Sequence, residues 1–74
     1  MEPIPSAATF VASATRSARL SEEGMLVAAT TRDPDALAEM VRRLSTALEA
    51  HAQCAAAVVE EMERAGLLHG REAP

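Results

Sequence analysis

The stretch RDPDALAEMVRRLSTALEAHAQCAAAVVEEMERAG, residues 32–66, decides the fold of this chain. It opens on strong helix-start signals, because Asp33 is a good N-cap residue and a proline, here Pro34, is favoured at the first helical position. It closes on Gly66, a residue type that commonly terminates helices. The stretch therefore predicts one long helix over about residues 34–65.

Apolar and small side chains recur along this helix at alternating spacings of four and three residues, up to Ala65. This spacing is the heptad pattern of helices that pack lengthwise against other helices. It defines a predicted interface that consists of Leu37, Val41, Leu44, Leu48, His51, Ala55, Val58 and Met62.

The positions that flank this stripe are also mostly small or apolar, whereas a free two-stranded coiled coil normally carries charges there. Such a wide apolar face is too broad for one partner helix, so we expect a bundle of three or more helices. The flanking residues are Met40, Ala47, Cys54 and Glu61 on one side and Ala38, Ser45, Ala52 and Val59 on the other.

Charged residues of the long helix lie opposite the stripe. Glu39 with Arg43, and Glu60 with Arg64, have the i,i+4 spacing and the order that favour ion pairs on a helix surface. Each pair is expected to stabilise the helix by about 0.3 kcal/mol.

The part of the chain before the long helix predicts further helix. Residues 1–5 read as an extended lead-in, and Ser6 is a candidate N-cap for a helix or helices over residues 6–31. A three-four spacing of small and apolar residues favours helix, although Gly24 allows two short helices instead of one, and the alternation in GMLVAATT also permits a short strand. A tight turn is expected at residues 31–34.

The predicted fold is therefore all-α: an αα-hairpin in a single domain over residues 6–66, with a long C-terminal helix and a cap and flexible tail over residues 67–74. Leu67, just beyond the terminating glycine, is placed to contact Met62, as in a Schellman cap. A chain of 74 residues buries little surface, and a single cysteine cannot close an internal disulfide. We therefore expect self-association or a partner protein to complete a bundle.

His51 and Cys54, three residues apart on the long helix, are the one pair that suggests metal binding. Two ligands do not make a zinc site, and the other histidine, His69, lies beyond the predicted helix. A dimer would be needed to complete a ligand set. We therefore interpret both side chains as core packing and predict no metal ligands.

Nothing in the sequence predicts catalysis or a cofactor. A nucleophile needs a base and an orienting group within a cleft, and a regular helical hairpin offers no cleft. The three glycines are scattered and form no phosphate-binding loop. We therefore predict a protein that is not an enzyme, with no catalytic residues, no cofactor-binding residues and no cofactors.

The charge balance of the chain narrows the classes of partner that we expect. A net charge of −4 argues against general nucleic-acid binding, and the compact basic spot at Arg32, Arg42 and Arg43 is small. No apolar run is long enough to cross a membrane, and no secretory signal opens the chain, so a cytoplasmic location is expected. The seven basic residues are all arginine, which together with many alanines indicates a high-GC bacterial or phage coding sequence.

The function expected from these patterns is that of a small helical interaction or assembly subunit. It would act through the heptad stripe of the long helix, in a homo-oligomer or as an accessory subunit of a larger protein complex. The alternatives are a small regulator or antitoxin-like protein that contacts nucleic acid, and a phage-encoded structural or inhibitor protein.

Overall fold

Two long helices make up the fold of this chain, as a computed structural model describes it for residues 4–68. Helix α1 spans Pro5–Thr30 and helix α2 spans Pro34–Arg64. They pack against each other as an antiparallel hairpin, joined by residues 31–33. The prediction of an all-α helical hairpin with a long second helix is confirmed.

Helix α1 is a single continuous helix. Gly24 lies within it, and the GMLVAATT segment that also permitted a strand is helical up to Thr30. An ideal Cβ placed on Gly24 meets nothing within 4 Å, so no close contact requires a glycine there. The helical spacing of the whole segment therefore outweighs the local cost of one glycine.

Helix α2 begins and ends with the signals that the sequence indicates. The Asp33 side chain accepts a hydrogen bond of 3.0 Å from the backbone N–H of Asp35. At the other end Gly66 adopts a φ of 73°, and the N–H of Leu67 donates to the carbonyl of Met62 at 2.9 Å. These bonds confirm the predicted N-cap and the Schellman motif.

The start of α1 differs from the prediction that Ser6 caps it. The N-cap residue is Ile4, which provides no side-chain cap, and the helix begins at Pro5. The Ser6 Oγ is buried without a hydrogen-bond partner. Instead the backbone N–H of Ser6 donates to Glu61 Oε2 at 3.1 Å, so α2 supplies the acceptor that α1 itself lacks.

A seam of small and apolar side chains joins the two helices. Its buried members are Ser17 and Leu20 on α1 and Met40 and Ala47 on α2. The Ser17 hydroxyl donates to the Ala47 carbonyl at 3.4 Å, across the point where both residues are small. Residues with short side chains let the helix backbones approach closely here.

The core of the hairpin is thin. Its buried apolar residues are Leu20, Met40 and Ala47, with Val27 and Leu44 packed against them. Among residues 4–68 no large side chain is less than 2% exposed. The chain measures 55 × 26 × 15 Å, so it is extended and, in its shortest dimension, little more than one helix thick.

Neither helix combines the length and apolar character needed to cross a membrane, within the residues that the structure describes.

Candidate interaction surface

The predicted stripe of α2 divides into two rows in the hairpin. One row, which includes Leu44, His51 and Val58, is half-buried and turned toward α1. The other row includes Val41 and Leu48, which remain 55% and 49% exposed. Helix α1 packs on the first row together with the flank that contains Met40 and Ala47, and it leaves the second row uncovered.

Helix α1 adds a matching uncovered row. The residues of α1 that contact α2 include Ser13, Ser17 and Leu20. Each following residue is rotated by about 100° around the helix axis, so these following residues form a second row on a different side of α1. That neighbouring row contains Val11 and Met25, which are 60% and 67% exposed. The three-four spacing that predicted helix in this segment is therefore the spacing of an exposed row, one residue away from the packed one.

The two uncovered rows lie on the same side of the hairpin. Ser21, Met25 and Ala28 of α1 line one groove together with Leu37 and Val41 of α2. We call this side the charge-free face. Its residues are Ala7, Val11, Ala14, Ala18, Ser21, Met25 and Ala28 on α1 and Ala38, Val41, Ser45, Leu48, Ala52, Ala55, Val59 and Met62 on α2, and none of them carries a charge.

The opposite side of the hairpin is charged. Arg16 and Arg43 line two adjoining grooves there, joined by Arg19 and Glu23 in one and by Arg42 and Glu39 in the other. Alanines 50 and 57 occupy the same side toward the chain ends. Both signs of charge thus line the two adjoining grooves, whereas no charged residue lines the groove at Met25 and Val41 on the other side.

Ion pairs on this charged side correct one prediction and confirm another. Arg64 lies 3.9 Å from Glu60, as the i,i+4 spacing predicts. Glu39, however, pairs with Arg42 at 3.4 Å, three residues on, and Arg43 directs its guanidinium to the Met40 sulfur at 4.0 Å. Met40 is buried in the seam, so contact with its sulfur holds Arg43 over the core.

His51 is a packing residue within the hairpin. Its ring lies 4.9 Å from the ring of Phe10, and its Nδ1 is 2.7 Å from the hydroxyl of Ser13. The Ser13 hydroxyl donates to the Phe10 carbonyl at 2.9 Å, so the Nδ1–H of His51 donates to Ser13 Oγ. This hydrogen bond therefore engages Nδ1, the ring nitrogen of His51 that faces α1.

Cys54 is a half-buried free thiol, and its neighbours in a shallow groove include Ser6, Thr9 and Gln53. Within residues 4–68 no three histidine, cysteine, aspartate or glutamate side chains converge in a way that could hold a metal ion. His69 lies outside the described residues.

Sequence reasoning missed the contribution of α1 to the exposed face and the identity of its packing row. The signal was present, because Phe10, Ser13, Ser17 and Leu20 follow the same three-four spacing as α2. The packed row of α1 contains serines, whereas the neighbouring row with Val11 and Met25 is more apolar. The sequence therefore indicated the neighbouring row as the packed one.

Comparison of the chain with protein-family models, with curated proteins and with solved structures found no match.

Proposed function

We propose that this chain is a non-enzymatic helical interaction or assembly subunit, which acts by burying the charge-free face against another protein surface. The observation that carries the proposal is the difference in charge between the grooves on the two sides of the hairpin. Large apolar side chains such as Met25, Val41 and Leu48 stay between 49% and 67% exposed, with no charge among the residues of that face. Contiguous exposed apolar patches of this kind mark interaction sites in soluble proteins.

The way the helices pack supports the same proposal. The heptad stripe of α2 is wider than α1 can cover, and the covered part already includes Leu44 and His51. The remaining row keeps the three-four spacing along the helix, from Val41 to Met62. Such a row is the form of surface that accepts one or two further helices lengthwise.

A photoreactive amino acid at position 48 tests this function in the cells that produce the chain. We expect irradiation to give an adduct with a protein when the probe replaces Leu48. The same probe at Ala50, on the charged side, is the matched control and should give none. Equal labelling from both positions, or none from position 48, would contradict the proposal.

A second candidate function, a small regulator that contacts nucleic acid, is favoured by one observation on the charged side. Arg16, Arg19 and Arg43 line adjoining grooves, and no carboxylate of the described residues forms an ion pair with any of them. Guanidinium groups without a carboxylate partner can bind phosphates. Glu23 and Glu39 in the same grooves, and the net charge of −4, weigh against it.

Fluorescence anisotropy with a labelled DNA duplex tests this alternative. A nucleic-acid regulator would bind with an affinity that falls steeply as salt increases, and the variant Arg16→Gln would weaken binding in low salt. Absence of binding at 50 mM salt would exclude duplex DNA as the partner.

A further inference from the structure

We infer that the surface which covers the charge-free face is the same face of a second copy of this chain, so that two hairpins stack into a four-helix bundle. The inference rests on the proposed function and names its partner. Four lines of observation carry it: the exposed area, the thin core, the lack of charge and the distribution of side-chain sizes.

The exposed area exceeds what a compact protein of this size shows. The chain exposes 5751 Å², whereas its mass of 7.8 kDa corresponds to roughly 4,400 Å² for a compact monomer. The difference is more than the roughly 800 Å² that each partner buries in a standard stable interface. The chain as a whole therefore exposes more surface than a compact monomer, by more than a standard dimer interface would cover.

The thin core of the hairpin would be completed by a second layer of helices. Hairpin packing buries Leu20, Met40 and Ala47 and leaves Leu44 and Val27 partly exposed at its edge. A second hairpin placed on the charge-free face would cover Leu44 from the open side, because this leucine lines the groove on that side. Stacking thus converts a one-layer hairpin into the two-layer arrangement on which helical domains depend.

The lack of charge on the face permits self-association. Interfaces that select a different partner, or reject a second copy, commonly do so with charged residues at or beside the contact. No charged residue lies within the rows of the charge-free face, although Glu22 and Glu63 lie beside them. Among residues 4–68 no arginine belongs to this face, so like charges within it do not oppose contact between two copies.

The side-chain sizes on the face are self-complementary. Both helices mix large and small side chains on this face, such as Met25 and Ala18 on α1 and Leu48 and Ala52 on α2. A two-fold axis presents the same face twice, so large residues of each copy can pack over small residues of the other. One face thus provides both halves of a helix-packing interface.

The adjacent residues Met25 and Leu26 provide the decisive variants. Both are about equally exposed in the hairpin, at 67% and 65%, but Met25 lies on the charge-free face and Leu26 lies off it. Aspartate at either position costs the helix the same intrinsic propensity and removes no buried contact. Met25→Asp should therefore disrupt the dimer, and Leu26→Asp should leave it intact.

Light scattering of the purified chain measures the outcome, with circular dichroism as the test of folding. We expect a wild-type mass near twice 7.8 kDa, a weakening of dimerisation by at least tenfold for Met25→Asp, and wild-type behaviour for Leu26→Asp. Exchange of subunits between tagged and untagged copies gives a second measurement that does not depend on any substitution.

Three results would overturn the inference. A helical wild-type monomer at 100 μM chain would do so, as would an equal loss of mass in both aspartate variants. The third is the absence of mixed dimers after tagged and untagged copies are unfolded and refolded together. If the chain is monomeric but the probe at position 48 captures a different protein, the proposed function stands and this inference fails; if neither occurs, both fail.

Discussion

The backbone N–H of Ser6, in the first turn of α1, donates a hydrogen bond of 3.1 Å to Glu61 Oε2 near the end of α2. The two residues are far apart in sequence, so this bond closes the open end of the hairpin opposite the turn at residues 31–33. It also places a carboxylate at the positive end of the α1 dipole, where no acidic residue of α1 itself lies in the first turn.

Replacement of Glu61 by alanine should lower the free energy of unfolding by about 1 kcal/mol, because the N–H of Ser6 loses its side-chain acceptor at an N-terminus that Ile4 does not cap. Urea denaturation at a fixed chain concentration measures the change. Glu49→Ala is the matched control, since Glu49 is exposed on the same helix. Equal destabilisation by the two substitutions would show that the Ser6 contact contributes nothing.

A second prediction concerns the contribution of the contact between Ser13 and His51 to stability. Ser13→Ala removes the acceptor of the Nδ1–H and should destabilise the hairpin by about 1 kcal/mol. Gln53→Ala, at an exposed position of α2 off the charge-free face, is the control and should change stability by less than about 0.5 kcal/mol. A double-mutant cycle with His51→Ala isolates the pair, and a coupling energy near zero would contradict the contact.

A third prediction concerns the close approach of the helices at Ser17 and Ala47. Ala47→Leu introduces a large side chain where both residues are buried and the hydroxyl of Ser17 reaches the opposite backbone. Overpacking should cost about 1–3 kcal/mol in thermal or urea unfolding. Ala56→Leu, at an exposed position of the same helix, should be nearly neutral. If Ala47→Leu were tolerated equally well, the seam would have to lie elsewhere on α2.

The sequence predicts the helices better than it predicts which of their faces meet. The ends of α2 follow from local chemistry, because Asp33 and Gly66 act on backbone groups within a few residues of themselves. The packing row of α1 depends instead on a distant part of the chain. Serines at positions 13 and 17 are suited to it only because His51 and Ala47 of α2 supply their hydrogen-bond partners. The start of α1 was mispredicted for the same reason, since its acceptor is Glu61.

Alanine substitutions at the two glycines of the hairpin are expected to change its stability in opposite directions. Gly24 lies inside α1, where an added Cβ meets nothing within 4 Å, so Gly24→Ala should stabilise the chain by up to about 1 kcal/mol through helix propensity. Gly66 has a φ of 73° in the cap of α2, and an alanine there is strained by about 1 kcal/mol.

Thermal unfolding followed by circular dichroism compares both variants with the wild type at one chain concentration. The space beside each glycine is open, so a clash cannot account for a difference between them. The expected order of midpoints is Gly24→Ala, then wild type, then Gly66→Ala. If both substitutions raised the midpoint, the Schellman cap at Gly66 would not hold in solution, and if both lowered it, α1 would bend or break at Gly24.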